Sequence, residues 1–226
     1  MPLPRPTRLL IPVLLLSLGA GCASRQLART VGAGRGEARV SLGGPFLTNL
    51  GPAIPLPNIA VGGRYGIADG WDVDGNFSVL GAAFGTVYVD PAVVAQLYAQ
   101  EQGPALSASL RANLFLGSSD GFAARVYPEV GLHGELPLGP ATVFGGALAW
   151  VSFAPPAGKP PVLATPYLGG SWRFGAQRGV SPELWLQLAW VSPWQDSTSV
   201  IDWAPGGAGA LSGVLGFTVP FGGGAL

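Results

Sequence analysis

Residues 105–115 read Ala-Leu-Ser-Ala-Ser-Leu-Arg-Ala-Asn-Leu-Phe, and their alternation decides the fold. Leu106, Ala108, Leu110, Ala112 and Leu114 share one parity, while Ser107, Ser109, Arg111 and Asn113 share the other. A β-strand turns successive side chains to opposite faces, so this segment carries one oily wall and one polar wall. An amphipathic helix repeats every 3.6 residues and would mix the two sets.

The same period extends in both directions. In 123–134, Ala124, Val126, Val130 and Leu132 oppose Arg125, Tyr127, Glu129 and His133. In 71–79, Trp71, Val73, Phe77 and Val79 oppose Asp72, Asp74, Asn76 and Ser78. Segments 165–174, 183–191 and 211–221 repeat the arrangement, and 37–43, 58–66 and 142–153 do so more weakly. Residues 87–100 admit two readings. Asp90-Pro91 can open a helix, with Asp as N-cap and Pro in the first turn; the same stretch can also be a strand, which we favour because it brings the total to an even ten. Short punctuated connections at 68–70, 101–104, 135–140 and 176–181 fall on one side. Longer ones at 44–57, 154–162 and 192–207 fall on the other, with 118–121 as a short exception. The expectation is an all-β, antiparallel up-and-down barrel of about ten strands (eight to twelve), with short turns on one side and long loops on the other.

Composition narrows the class. The chain has 226 residues, zero formal net charge, 11% charged and 48% hydrophobic residues. Its mean hydropathy is +0.40. A total of 36 Gly and 22 Pro is high, but disorder needs low hydrophobicity and excess charge. No basic stripe suggests nucleic acid. One Cys excludes an intramolecular disulfide framework and a Cys-based zinc site.

Alternation alone does not say which wall faces inward. The polar faces are poor in Lys and Glu, the usual solubilising residues. They carry Ser, Asn, Tyr and single charges, so that Arg39, Arg64, Arg111, Arg125 and Arg173 can pair with Glu37, Asp72, Asp74, Glu129 and Glu183 in a lumen. The segments reach the 9–11 residues that a tilted strand needs to cross hydrocarbon. Trp150, Trp172, Trp185, Trp190, Trp194 and Trp203 fall near segment ends, where interfacial aromatic girdles belong. These features place the oily wall outside and a lumenal polar network of Arg39, Arg64, Asp72, Asp74, Arg111, Arg125, Glu129, His133, Arg173 and Glu183 inside.

The N-terminus reads as an address. Arg5 and Arg8 precede the apolar run Leu9–Leu18, which is too short to span a bilayer and fits a secretory signal. Leu18-Gly19-Ala20-Gly21-Cys22 resembles a bacterial lipobox, although Gly19 stands where a larger aliphatic residue is usual. The resemblance implies a signal peptide over 1–21, acylation of Cys22 by palmitate-type chains, a polar tether over 22–35 and a barrel over 36–226. The last strand, with Leu215, Phe217, Val219 and Phe221, resembles an outer-membrane insertion signal. Taken together, residues 36–221 resemble the outer-membrane β-barrel proteins of Gram-negative bacteria, here with a lipidated N-terminus. That resemblance implies an outer-membrane location, lipid contacts, a monomer and an unidentified extracellular or periplasmic protein partner.

Chemistry is sparse. No phosphate-binding loop or metal-ligand cluster is present, and Asp69, Asp72 and Asp74 lack the closing ligand of a calcium loop. No cofactor is expected. His133 is the one candidate base, with Ser107 or Ser109 as nucleophile and Glu129 as orienter in a lipid-hydrolase reading. A lone His in a polar network is the simpler reading, so no catalytic site is expected. A structural or interaction barrel comes first, a narrow channel or transporter second, and a soluble lipid-anchored lipocalin-like binder third.

Overall fold

The computed structural model describes residues 25, 28–47, 54–55, 58–83, 85–117, 123–155, 160–175, 181–196 and 207–222. The proposed signal 1–21, Cys22 and Trp203 lie outside the described residues. The strands are β1 (Arg35–Leu47), β2 (Ile54–Pro55), β3 (Asn58–Ala68), β4 (Trp71–Ser78), β5 (Thr86–Val89), β6 (Ala92–Ala99) and β7 (Ala105–Gly117). They continue with β8 (Ala123–Leu138), β9 (Ala141–Val151), β10 (Val162–Arg173), β11 (Glu183–Asp196) and β12 (Ala208–Gly222). One helical turn, α1 (Val79–Ala83), joins β4 to β5.

Every neighbouring strand pairs antiparallel, and β12 pairs back onto β1 from Arg35↔Gly222 to Pro45↔Ser212. The sheet therefore has no free edge, which removes the row of unpaired backbone groups that lipid cannot hydrogen-bond. Ten staves make the wall; β2 is a two-residue addition on β1. Both β5 and β6 pair with β4 on one side and β7 on the other, so they are two pieces of one stave. Residues 87–100 are thus extended, as favoured, and Asp90-Pro91 interrupts the stave instead of starting a helix. Proline lacks the donor that an unbroken ladder would need there.

Sidedness follows the inside-out pattern. Leu110, Val130, Leu186 and Phe217 are 61%, 53%, 51% and 37% exposed, whereas Arg111 is 2% exposed. Val40, Leu42, Ile59, Val61, Leu132, Leu168, Leu188 and Leu215 extend this apolar belt around the barrel. In water such a belt would cost about 25 cal/mol per Å² of apolar surface; against acyl chains it costs nothing. The architecture is that of a transmembrane barrel, and the soluble lipocalin-like alternative, which needs its oily wall inside, is overturned.

The aromatic reading is corrected in part. Trp71, Trp172, Trp190 and Trp194 are exposed on the outer side or at strand ends, but Trp185 is fully buried in the lumen and Trp150 faces inward towards the loop-side end, stacked on Tyr127. Trp185 lies opposite Gly216 and Phe144 lies opposite Gly169 in the register. A Cβ at either glycine would fall within the facing ring. Each aromatic ring is laid across a glycine on the next strand, which lets large rings fit a narrow cylinder.

Candidate functional site

The lumen is divided lengthwise into two unlike halves. Staves β1 to β8 supply the charged half. Arg39 reaches from β1 to Asp74 on β4, and its Nε donates to Asn76 Oδ1 at 2.7 Å. Arg111 on β7 pairs with Asp74 (2.8 Å), Asp90 (2.8 Å) and Glu129 (3.3 Å). Arg64 on β3 pairs with Asp72 on β4 at 2.7 Å. Each of these side chains is buried, so each charge must be met locally, because an uncompensated buried ion costs several kcal/mol.

Asp90 holds this cluster together and was not among the residues expected from the sequence. It accepts from the Asn76 backbone N–H (2.6 Å) and side-chain amide (2.8 Å), and Tyr88 Oη donates to it at 3.2 Å. Its carboxylate points inward by the ordinary parity of its stave: Tyr88, Asp90, Ala92 and Val94 are all buried, and the register continues from Phe77↔Val89 to Asp74↔Ala92. The available signal was that parity, since 87–100 read as a strand puts Asp90 on the same face as Tyr88.

Staves β9 to β12 supply the apolar half: Phe144, Leu148, Tyr167, Trp185, Ala189 and Val214 pack together, with Trp150 against them. Trp185 Nε1 donates to Thr218 at 3.1 Å, so the one polar atom of its indole is satisfied. The seam between the halves is His133. Its Nε2 lies 2.7 Å from Ser109 Oγ on β7, and its Nδ1 lies 2.6 Å from Tyr167 Oη on β10. In the register Gly146 of β9 stands between His133 and Tyr167, and a Cβ there would come 2.7 Å from Tyr167 Oη. The glycine opens the path for that bond.

The expected serine–histidine contact therefore forms, but its third member is Tyr167. Glu129 is held instead by Arg111 and by the Trp150 indole N–H. With Ser109 and His133 both buried, the chain Ser109–His133–Tyr167 ties three staves together.

Three further expected members lie apart from the central cluster. Arg125 has the inward parity but is exposed at the loop-side end of β8, and no ion pair joins it to another described residue. Its stretch of wall is open to solvent there. Arg173, at the last position of β10, donates to Gly139 O (2.8 Å) across the turn side. Glu183 begins β11 and pairs with Arg25.

Arg25 belongs to the stretch expected to be a polar tether. Its described residues instead cross the turn-side mouth of the barrel. The Arg25 guanidinium pairs with Glu183, donates to Ser171 (3.2 Å) and lies 6.0 Å from the Phe144 ring centre. Arg29 binds Glu135 (3.2 Å) and the carbonyls of Gln100 (2.8 Å) and Gly103 (3.0 Å). Thr30 contacts Gln96, and the Val31 N–H donates to Asp72 at 3.0 Å. Ala33 then forms a parallel bridge with Gly66. Ala28 is fully buried. Composition alone, polar and glycine-containing, did not separate a loose tether from a docked one; the two arginines facing acids at the mouth were the signal.

Fold and lumen together define a transmembrane β-barrel with a side-chain-filled interior, crossed at one mouth by its own N-terminal segment. No protein-family model matches the chain, and no curated protein matches it. Among solved structures it is similar to the NanC porin, at 9% identity and a TM-score of 0.47, over 82% of this chain and 98% of that one. It is also similar to a Pseudomonas aeruginosa FadL homologue (11% identity, TM-score 0.36, 83% of this chain and 62% of that one). A third is the β domain of the Bordetella autotransporter BrkA (12% identity, TM-score 0.36, 83% and 99%). The barrel assignment rests on this chain's own strand pairing and burial.

Proposed function

We propose that the protein is an outer-membrane β-barrel lipoprotein, anchored through Cys22, whose lumen is shut at rest and whose role is structural or interaction-based without catalysis. The observation that carries this reading is the double closure: charged and apolar clusters occupy the lumen, and residues 25 and 28–34 lie across the turn-side mouth. A barrel of about ten strands has an interior little wider than its own side chains. The outer membrane is supported by the combination of a secretory signal with an apolar-outside barrel, since closed barrels and helices are the two structures that span lipid. Among the described residues no helix is long and apolar enough to cross a membrane. Cys22 stands three positions before Arg25, a reach of roughly 10 Å, so acyl chains on Cys22 would enter the leaflet on the turn side.

Two measurements test this. The protein should fractionate with outer membranes and migrate faster unheated than heated on a gel, with palmitate labelling lost in Cys22→Ser. Refolded into planar bilayers, the full chain should show no reproducible unitary conductance. Conductance would instead support the second reading, a narrow channel. One observation favours that alternative: Asp72 Oδ1 and Ser212 Oγ are buried with no hydrogen-bond partner among the described residues. Buried polar atoms of this kind take ordered water.

A further inference from the structure

Three connections on the turn side stand around a cleft at the rim of the barrel. Glu101 and Gln102 come from the β6–β7 turn, Gly139 and Pro140 from the β8–β9 turn, and Arg173 and Gly175 from the end of β10. The cleft encloses about 510 Å³, within the roughly 300–1,000 Å³ of small-molecule sites. Glu101, Gln102, Gly139 and Pro140 are exposed, so it opens to water, and nothing in the packed lumen has to move for a molecule to enter.

Arg173 is fixed in the wall of this cleft without being neutralised. Its backbone N–H donates to Pro140 O at 3.0 Å, and the N–H of Phe174 donates to Pro182 O at 2.9 Å. Its Nη2 donates to Gly139 O at 2.8 Å, which pins the guanidinium against the β8–β9 turn. The register sets Glu183 directly opposite Arg173, a placement suited to a cross-strand ion pair. Glu183 gives its carboxylate to Arg25 instead, and Glu135, inward on neighbouring β8, is taken by Arg29. No ion pair joins Arg173 or Glu101 to another described residue.

The cleft therefore presents one uncompensated guanidinium and one uncompensated carboxylate on different walls. A guanidinium held in place takes a carboxylate through charge-assisted hydrogen bonds. Glu101 repels a ligand that is only anionic and attracts an ammonium. We propose that this cleft binds a small zwitterion, an amino acid or dipeptide, with its carboxylate on Arg173 and its ammonium towards Glu101. This goes beyond the closed-barrel reading and depends neither on acylation of Cys22 nor on the state of the lumen.

The experiment titrates the full-length protein in detergent micelles with glycylglycine, acetate and ethylammonium, read by saturation-transfer NMR. Heat-modifiable migration first establishes that each protein is a folded barrel. The unaltered chain should bind glycylglycine about tenfold more tightly than either singly charged probe, as a second charge-assisted contact provides. Arg173→Gln should weaken glycylglycine by about tenfold or more. Glu101→Gln should weaken glycylglycine and strengthen acetate, opposite signs that a merely structural role would not produce. Should Arg173→Gln not fold, that reversal at the exposed Glu101 decides the question by itself. Absence of saturable glycylglycine binding to the unaltered chain overturns the site. Equal affinity for glycylglycine and acetate overturns the zwitterion class. Unchanged glycylglycine affinity in the folded variants puts binding elsewhere and overturns the cleft.

Discussion

The two halves of the lumen solve one problem in different ways. Both must fill the space inside a ten-stave cylinder with inward positions alone. The β1–β8 side does it with ion pairs: Arg39 and Arg111 share Asp74, and Arg111 also holds Asp90 and Glu129. The β9–β12 side does it with Trp185, Phe144, Leu148 and Tyr167 packed as in the core of a soluble protein. Charge pairing tolerates imperfect fit, because water can fill a gap, but it does not tolerate a missing partner. Apolar packing tolerates the loss of any one polar contact but not the loss of volume. The halves should therefore fail under different substitutions.

The largest effect is expected from Arg111→Ala. It removes the guanidinium that Asp90 and Glu129 share and leaves Asp74 to Arg39 alone in a buried site, and removing one partner of a buried pair typically costs about 3–5 kcal/mol. Urea unfolding from vesicles, followed by heat-modifiable migration, should show that loss. A change below about 1 kcal/mol would mean that water already screens the cluster and would break the contrast. Trp185→Ala tests the other half, at about 3 kcal/mol for a large aromatic truncated in a packed core. Its signature is a smaller loss when a small apolar molecule is added to fill the cavity, a rescue that Arg111→Ala should not share.

Gly216→Ala sharpens the same half from the opposite direction. Its Cβ would enter the Trp185 indole, so a methyl group added to an apolar core should destabilise by about 1–2 kcal/mol. It should also shift Trp185 fluorescence, while the same change at Gly117, where a Cβ meets nothing, should do neither. The smallest effect belongs to the seam. Tyr167→Phe removes the bond to His133 Nδ1 while keeping the ring in the apolar cluster, at about 1 kcal/mol. A much larger loss would show that His133 binds the two halves into one cooperative unit.

Much of this is legible in the sequence. The period of two in 105–115 and its neighbours set the strands, the even count and the loop asymmetry. The scarcity of Lys and Glu on the polar parity set the inside-out orientation. Arg39, Arg64, Asp72, Asp74, Arg111, Glu129 and His133 all reached the buried lumen because parity is a local property of each strand. Arg125, Arg173 and Glu183 share that parity yet lie outside the central cluster. Parity says which face a residue takes but not how deep along the barrel it sits. Trp185 and Trp150 were read as girdle residues for the same reason. Asp90 escaped because 87–100 admitted both a helix and a strand, so the parity that places it inward with Tyr88 and Ala92 was not applied there.

Alternating chemistry along each segment determined, without help, that this chain closes into a barrel with oil outside and polarity within. Side-chain direction in a strand is dictated by the next peptide bond and needs no distant contact. The split of the interior into a charged and an apolar half was decided only in three dimensions, as were the His133 seam across Gly146 and the docking of Arg25 and Arg29 over the mouth. Each depends on residues far apart in the chain meeting at one level of the cylinder. That meeting is set by inter-strand register, which no single segment contains.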